Sequence, residues 1–85
     1  MTKPAYGKSR VDVAGAGAFG TALAVALAQS DVPVCLWARD AGHVRRMQRD
    51  RANARRLPEV PFPDTLSVTA SLETLEASIL LLAVP

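Results

Sequence analysis

The 85 residues predict an α/β fold: a doubly wound parallel sheet, of which the chain holds the N-terminal part. Three observations carry this expectation. Short apolar stretches of strand length recur at 10–14, 32–38, 66–69 and 78–84. Segments of helical composition stand between the first three, at 18–29 and about 41–52. A glycine-rich turn, Gly15-Ala16-Gly17-Ala18-Phe19-Gly20, joins the first strand to the first helix. Right-handed crossovers then put the first strand in the middle of the sheet, with the glycine turn at its carboxyl edge and helices on both faces.

Taken in order, residues 1–9 read as a flexible tail containing Pro4 and Gly7. The first strand, 10–14, has one anomaly. Asp12 stands inside it, where central parallel strands are apolar throughout. That requires a strand start at Asp12, a polar partner, or a weak strand. In the helix over 18–29, Leu23, Val25 and Leu27 supply bulk, and the alanines between them permit close approach to a sheet. Pro33 stands near the beginning of the second strand, where a missing donor is tolerated. Asp40 is an N-cap for the helix over 41–52, which puts Val44 and Met47 on one face and arginines on the other. Pro58, Pro61 and Pro63 argue against regular structure over 57–64, because each removes a donor and fixes φ. A short strand at 66–69 precedes a brief helical turn capped by Ser71 and running through Ala77. The apolar run 78–84 reads as a buried parallel strand closed by Pro85.

Composition narrows the function classes. No apolar run approaches the roughly 20 residues that cross a bilayer, so membrane insertion is not expected. The first ten residues have basic groups but no apolar stretch behind them, unlike a secretory signal. Cys35 is the single cysteine and cannot form an internal disulfide, which together with the missing signal points to the cytoplasm. Net charge is only +2, yet seven of the ten basic residues are arginines between Arg39 and Arg56. No aromatic residues interleave with them and Asp50 interrupts the run, so a solvated helix face with a few ligand-directed arginines is preferred to a nucleic-acid patch. His43, the only histidine, has no partners for a metal site or a triad and reads as a surface residue or a neighbour of the cap, with contact to an adenine as the lesser reading. Trp37 reads as core, and Phe62 with its prolines as part of a rigid crossover.

The glycine spacing carries the functional signal. Gly15 permits a tight turn off the strand, Gly17 leaves the backbone open to a pyrophosphate, and Gly20 lets the helix lie against the sheet. The helix N-terminus adds its amides and its dipole. Between a strand and a helix this is the Rossmann-type fingerprint for a nicotinamide dinucleotide, which makes 10–85 an incomplete NAD(P)-binding domain. The residue that reads the ribose is expected at the end of the second strand, where Arg39 and Asp40 stand side by side. Asp40 is committed as a helix cap, so Arg39 is the free head for a 2′-phosphate, with Arg45 near enough to help. NADP(H) is therefore favoured, and NAD(H) stays open.

Several segments together resemble bacterial NAD(P)-dependent glycerol-3-phosphate dehydrogenase: 15–24 around the glycines, Leu36-Trp37-Ala38-Arg39-Asp40, 51–58 with Asn53 and Leu57-Pro58, 61–66, and Leu81-Leu82-Ala83-Val84-Pro85. The glycine motif is shared by many dehydrogenases, and the combination of 36–40 with the Asn53–Pro58 segment is far more specific. The resemblance implies a Rossmann domain for NAD(P)H and a helical domain, absent from this chain, for dihydroxyacetone phosphate. The full-length enzyme would make sn-glycerol 3-phosphate for phospholipid synthesis. By position, Ala18 and Phe19 would touch the cofactor, Arg39 would face the 2′-phosphate, and Val84-Pro85 would begin the loop beneath the nicotinamide. A homodimer is kept as an option for the full-length protein.

Asp12 and a short 71–78 segment depart from the family pattern. The lysines present, Lys3 and Lys8, lie in the tail, so no catalytic residue is assigned, nor any metal ligand. The 85-residue chain alone is expected to be inactive and of marginal stability, its central strand left open along one edge. A dinucleotide-binding fragment without catalysis, or the start of another Rossmann reductase resembling ketopantoate reductase, are the alternatives.

Overall fold

The computed structural model describes residues 10–75 and 79–83. Its elements run β1 (Val11–Ala14), α1 (Ala18–Gln29), β2 (Val34–Trp37), α2 (Ala41–Asp50), β3 (Ala52–Asn53), β4 (Leu57–Pro61), β5 (Leu66–Thr69), a 3-10 turn (Leu72–Thr74) and β6 (Ile79–Leu82). Four parallel strands form one sheet in the order β5-β2-β1-β6, with the first strand in the middle as expected. β1 is hydrogen-bonded on both sides, so the expectation of a central strand open along one edge was wrong. Among the described strands the edges are β5 and β6, and Leu82 on β6 is strongly exposed.

The registers explain the core. Val11 pairs with Val34 and Val34 with Leu66, while Val13 pairs with Leu36 and Leu36 with Val68. Side chains alternate across a sheet, so these six share one face. They form a single buried cluster with Ala24, Val25 and Ala28 of α1 and Val44 and Met47 of α2. Both described α-helices therefore pack on that face, as right-handed crossovers running in the same direction require. The side of α1 against the sheet is made of its smaller residues, Gly20, Thr21, Ala24, Val25 and Ala28, with Leu23 and Leu27 half-buried at its flanks.

Asp12 has a polar partner. It is 1% exposed, and its carboxylate meets Arg10 through Nε at 2.8 Å and Nη2 at 3.2 Å. Breaking such a pair from the arginine side leaves a buried carboxylate behind. Arg10→Ala should destabilise the fold by about 2 kcal/mol, below the usual range because Arg10 is one-third exposed. The double variant Arg10→Ala, Asp12→Val should recover most of that loss in a urea melt.

The stretch expected to be irregular contains a strand. β4 pairs antiparallel with β3, Ala52 opposite Pro61 and Asn53 opposite Leu57, with a register break between the two pairs. Prolines fit here because the ribbon has only two strands and an irregular ladder, and a proline carbonyl still accepts. Glu59, between Pro58 and Pro61, takes φ +67°. α2 also ends two residues earlier than expected, because Arg51 turns left-handed at φ 52°, ψ 42°. That reversal aims the Arg51 guanidinium at the carbonyls of Pro63 (2.9 Å) and Leu66 (2.8 Å), with the Phe62 ring 5.7 Å away. Phe62 is buried in the core beneath this contact.

The last crossover has a shorter helical turn than the one expected through Ala77. Among the described residues it holds one 3-10 turn, Leu72–Thr74, with the Ser71 hydroxyl accepting from the Glu73 N–H at 3.3 Å. The tail over 1–9, the segment 76–78 and Val84-Pro85 lie outside the described residues. Cys35 is buried on β2, and burial pushes its thiol above the ordinary range. No described helix is long and apolar enough to cross a membrane.

Candidate functional site

The carboxyl ends of β1 and β2 open onto a cleft of about 650 Å³. Ligands of open α/β sheets bind at this edge, where crossovers diverge. The floor and one wall come from the glycine turn. Gly15 has φ +121°, and a Cβ there would lie 2.5 Å from the Ala83 carbonyl oxygen. A Cβ on Gly20 would overlap the Gly15 carbonyl oxygen. Gly17 is different: its Cβ position meets nothing within 4 Å and its φ of −77° is ordinary. The first two glycines are required by the protein's own backbone, and Gly17 leaves open space.

Gly17 is also the N-cap of α1, and no side chain caps that helix. The helix gains its first internal bond only at the Thr21 N–H, which donates to the Gly17 carbonyl at 3.0 Å. The earlier amides are the donors that a helix N-terminus offers to an anion. Such a turn fits the pyrophosphate of a dinucleotide on this structure's own geometry. Ala18 and Phe19 are exposed at its rim, Phe19 being 73% exposed.

The opposite wall is basic. Arg39 is exposed just beyond β2 and lines the cleft. Asp40 beside it accepts from the N–H groups of Gly42 (2.8 Å) and His43 (3.2 Å) as the cap of α2. Those hydrogen bonds hold its carboxyl below the usual carboxylate range. All six residues anticipated for the cofactor, Gly15, Gly17, Ala18, Phe19, Gly20 and Arg39, meet on this one cleft.

Arg45 was expected to assist Arg39, but it is not part of the cleft wall. Its guanidinium lies instead near Gly42, in the first turn of α2. Arg55 and Arg56 line the cleft in its place, delivered by the turn between β3 and β4. Nothing in the sequence singles them out from the rest of the arginine run, because the two-residue strand that turns the chain back carries no periodicity. Two other arginines of the run have other tasks: Arg51 ties α2 to β5, and Arg49 pairs with Asp50 at 2.9 Å.

Trp37 departs from expectation, and so does the burial of His43, although His43 is the neighbour of the cap that the sequence suggests, its N–H donating to Asp40 Oδ1. His43 is buried at 8% exposure and lines the cleft, and its Nε2 lies 3.0 Å from Asn53 Oδ1. Trp37 is half-buried and lines the cleft too, held by an Nε1–H that donates to the Ala70 carbonyl at 3.1 Å. No group of three metal-ligating side chains occurs among the described residues.

Comparison with known proteins agrees with this geometry. The family model for the N-terminus of NAD-dependent glycerol-3-phosphate dehydrogenase matches residues 10–85. An Aeromonas hydrophila protein named glycerol-3-phosphate dehydrogenase, NAD(P)+, is 46% identical over 77 residues, covering 88% of this chain and 23% of that protein. A Tolumonas auensis protein of the same name is 52% identical over 62 residues, covering 73% of this chain and 19% of that protein. The crystal structure of Coxiella burnetii glycerol-3-phosphate dehydrogenase superimposes with a TM-score of 0.85 at 41% identity, covering 92% of this chain and 25% of that one. The chain thus spans about a quarter or less of the length of these relatives. Sequence, fold and cleft agree that it belongs to the NAD-dependent glycerol-3-phosphate dehydrogenase family, matching its N-terminal part.

Proposed function

We propose that this chain is the cofactor-binding part of a cytoplasmic glycerol-3-phosphate dehydrogenase that prefers NADPH and reduces dihydroxyacetone phosphate to sn-glycerol 3-phosphate. The observation that carries the reading is the cleft itself, with an uncapped glycine turn on one side and Arg39, Arg55 and Arg56 on the other. The printed names of the relatives support both the cofactor class and the substrate.

Each residue has a physical task. Gly15 and Gly20 hold the turn close to the sheet, and Gly17 leaves room for the diphosphate. The amides of Ala18 and Phe19 face the anion at the positive end of α1. Arg39 pairs with the 2′-phosphate, while the Asp40 carboxylate that would read an unphosphorylated ribose is held by the α2 cap. Bound NADPH supplies the hydride for the ketone carbon.

The test is an assay of the full-length polypeptide that carries this chain. NADPH absorbance should fall on addition of dihydroxyacetone phosphate, with a lower KM for NADPH than for NADH. NADPH binding with no turnover of dihydroxyacetone phosphate would overturn the substrate assignment. Absence of binding to either nucleotide would overturn the whole reading.

A further inference from the structure

We infer that Asn53 is a positioning residue that aims the Gly17 amide at the diphosphate of the bound dinucleotide. The inference rests on the reading of the cleft given above. Asn53 lies on β3, is completely buried, and is not part of the cleft wall. Its carboxamide makes four hydrogen bonds. Nδ2 donates to the Ala16 carbonyl at 3.0 Å and to Thr21 Oγ1 at 2.9 Å. Oδ1 lies 3.0 Å from His43 Nε2 and accepts from the Arg56 N–H at 3.2 Å. Two donors and two acceptor sites are all that a carboxamide has.

Its partners fix the orientation of the amide. The Ala16 carbonyl can only accept and the Arg56 N–H can only donate, so a flipped carboxamide would set like against like at both places. His43 Nε2 must then carry a proton and donate. One buried group thus joins the glycine turn, α1, α2 and the hairpin turn, over sequence separations up to 37 residues.

The consequence for binding follows from peptide geometry. The Ala16 carbonyl and the Gly17 N–H belong to one planar trans unit, in which they point in opposite directions. Holding the carbonyl inward against Asn53 directs the Gly17 N–H away from Asn53. Gly17 lines the cleft and its Cβ position is open, so nothing on its own side chain could set that direction. Asn53 supplies the missing constraint from behind.

Isothermal titration of the full-length polypeptide tests this with two probes, NADPH and adenosine 2′-phosphate, the second lacking the diphosphate. Asn53→Asp keeps an acceptor for His43 and for the Arg56 N–H but presents an oxygen to the Ala16 carbonyl. Its dissociation constant for NADPH should rise at least tenfold at unchanged stoichiometry, while that for adenosine 2′-phosphate stays within twofold. Thr21→Val, which removes one of the two acceptors of Nδ2, should raise the NADPH value about threefold, and Thr21→Ser should restore it. If Asn53→Asp does not fold, the Thr21 pair decides.

NADPH affinity within twofold of wild type in both Asn53→Asp and Thr21→Val would overturn the inference. So would a fall in stoichiometry at constant affinity, or equal losses for the two probes, each marking a structural role alone. A wild-type protein that binds NADPH but does not reduce dihydroxyacetone phosphate refutes only the substrate assignment and leaves the Asn53 comparison decisive.

Discussion

Gly20→Ala should destabilise the fold by about 3 kcal/mol, the upper end for forcing an atom into a packed site. The added Cβ would overlap the Gly15 carbonyl oxygen and lie 2.9 Å from the Ala83 Cβ. The turn cannot retreat easily, because Gly15 already occupies φ +121° and has the Ala83 carbonyl so near that a Cβ on Gly15 would lie 2.5 Å from its oxygen. Relief must come from lifting α1 off the sheet, which opens the contacts of Ala24, Val25 and Ala28. For a domain of this size the thermal midpoint should fall by roughly 15 °C, read by circular dichroism.

Gly17→Ala makes the informative comparison. Its Cβ meets nothing within 4 Å and its backbone suits any residue, so the midpoint should hardly move. NADPH affinity should nevertheless fall at least tenfold, because the methyl group occupies the approach of the diphosphate. A large loss of stability in Gly17→Ala, or none in Gly20→Ala, would contradict the division of roles between the glycines.

Arg39→Asp should lower the preference for NADPH over NADH by about 100-fold. A hydrogen bond to a charged group contributes about 1.5–3 kcal/mol, and each 1.4 kcal/mol is tenfold in affinity. The introduced carboxylate then repels the 2′-phosphate and accepts from an unphosphorylated ribose. The loss is bounded because Arg55 and Arg56 remain on the same cleft. The cap of α2 stays with Asp40, so the helix should be unaffected. Dissociation constants for the two nucleotides, measured side by side, check the ratio. An unchanged ratio would remove Arg39 as the reader of the 2′-phosphate and shift attention to Arg55 and Arg56.

Much of the fold could be read along the chain because its signals are local. The strand ends of β1 and β2, the start of α1, the Asp40 cap and the Ser71 cap each depend on residues within a few positions of one another. The glycine turn was legible for the same reason, and so was Arg39, at a fixed distance beyond it. The misreadings share a cause too. Pro58, Pro61 and Pro63 suggested an unpaired segment, yet β4 pairs with a two-residue strand created by the left-handed Arg51. No periodicity marks a strand of two residues. The place of His43 beside the cap was legible, but the burial of its ring was not, because burial of a polar ring depends on a partner and Asn53 comes ten residues later on another element.

Residue order alone thus determined the class of fold, the central position of β1 and the glycine turn with its cation beyond β2. These follow from backbone preferences and spacing over one or two elements. Tertiary structure decided which arginines reach the cleft, how Asp12 is paired and what holds the glycine turn from behind. Asn53 meets Thr21 and Ala16 across 32 and 37 residues, and Arg55 and Arg56 reach the cleft only because a bulged hairpin folds back over α1 and α2. Hydrogen bonds of that range are made only when chain segments pack, and pairing choices that depend on packing leave no period in the sequence.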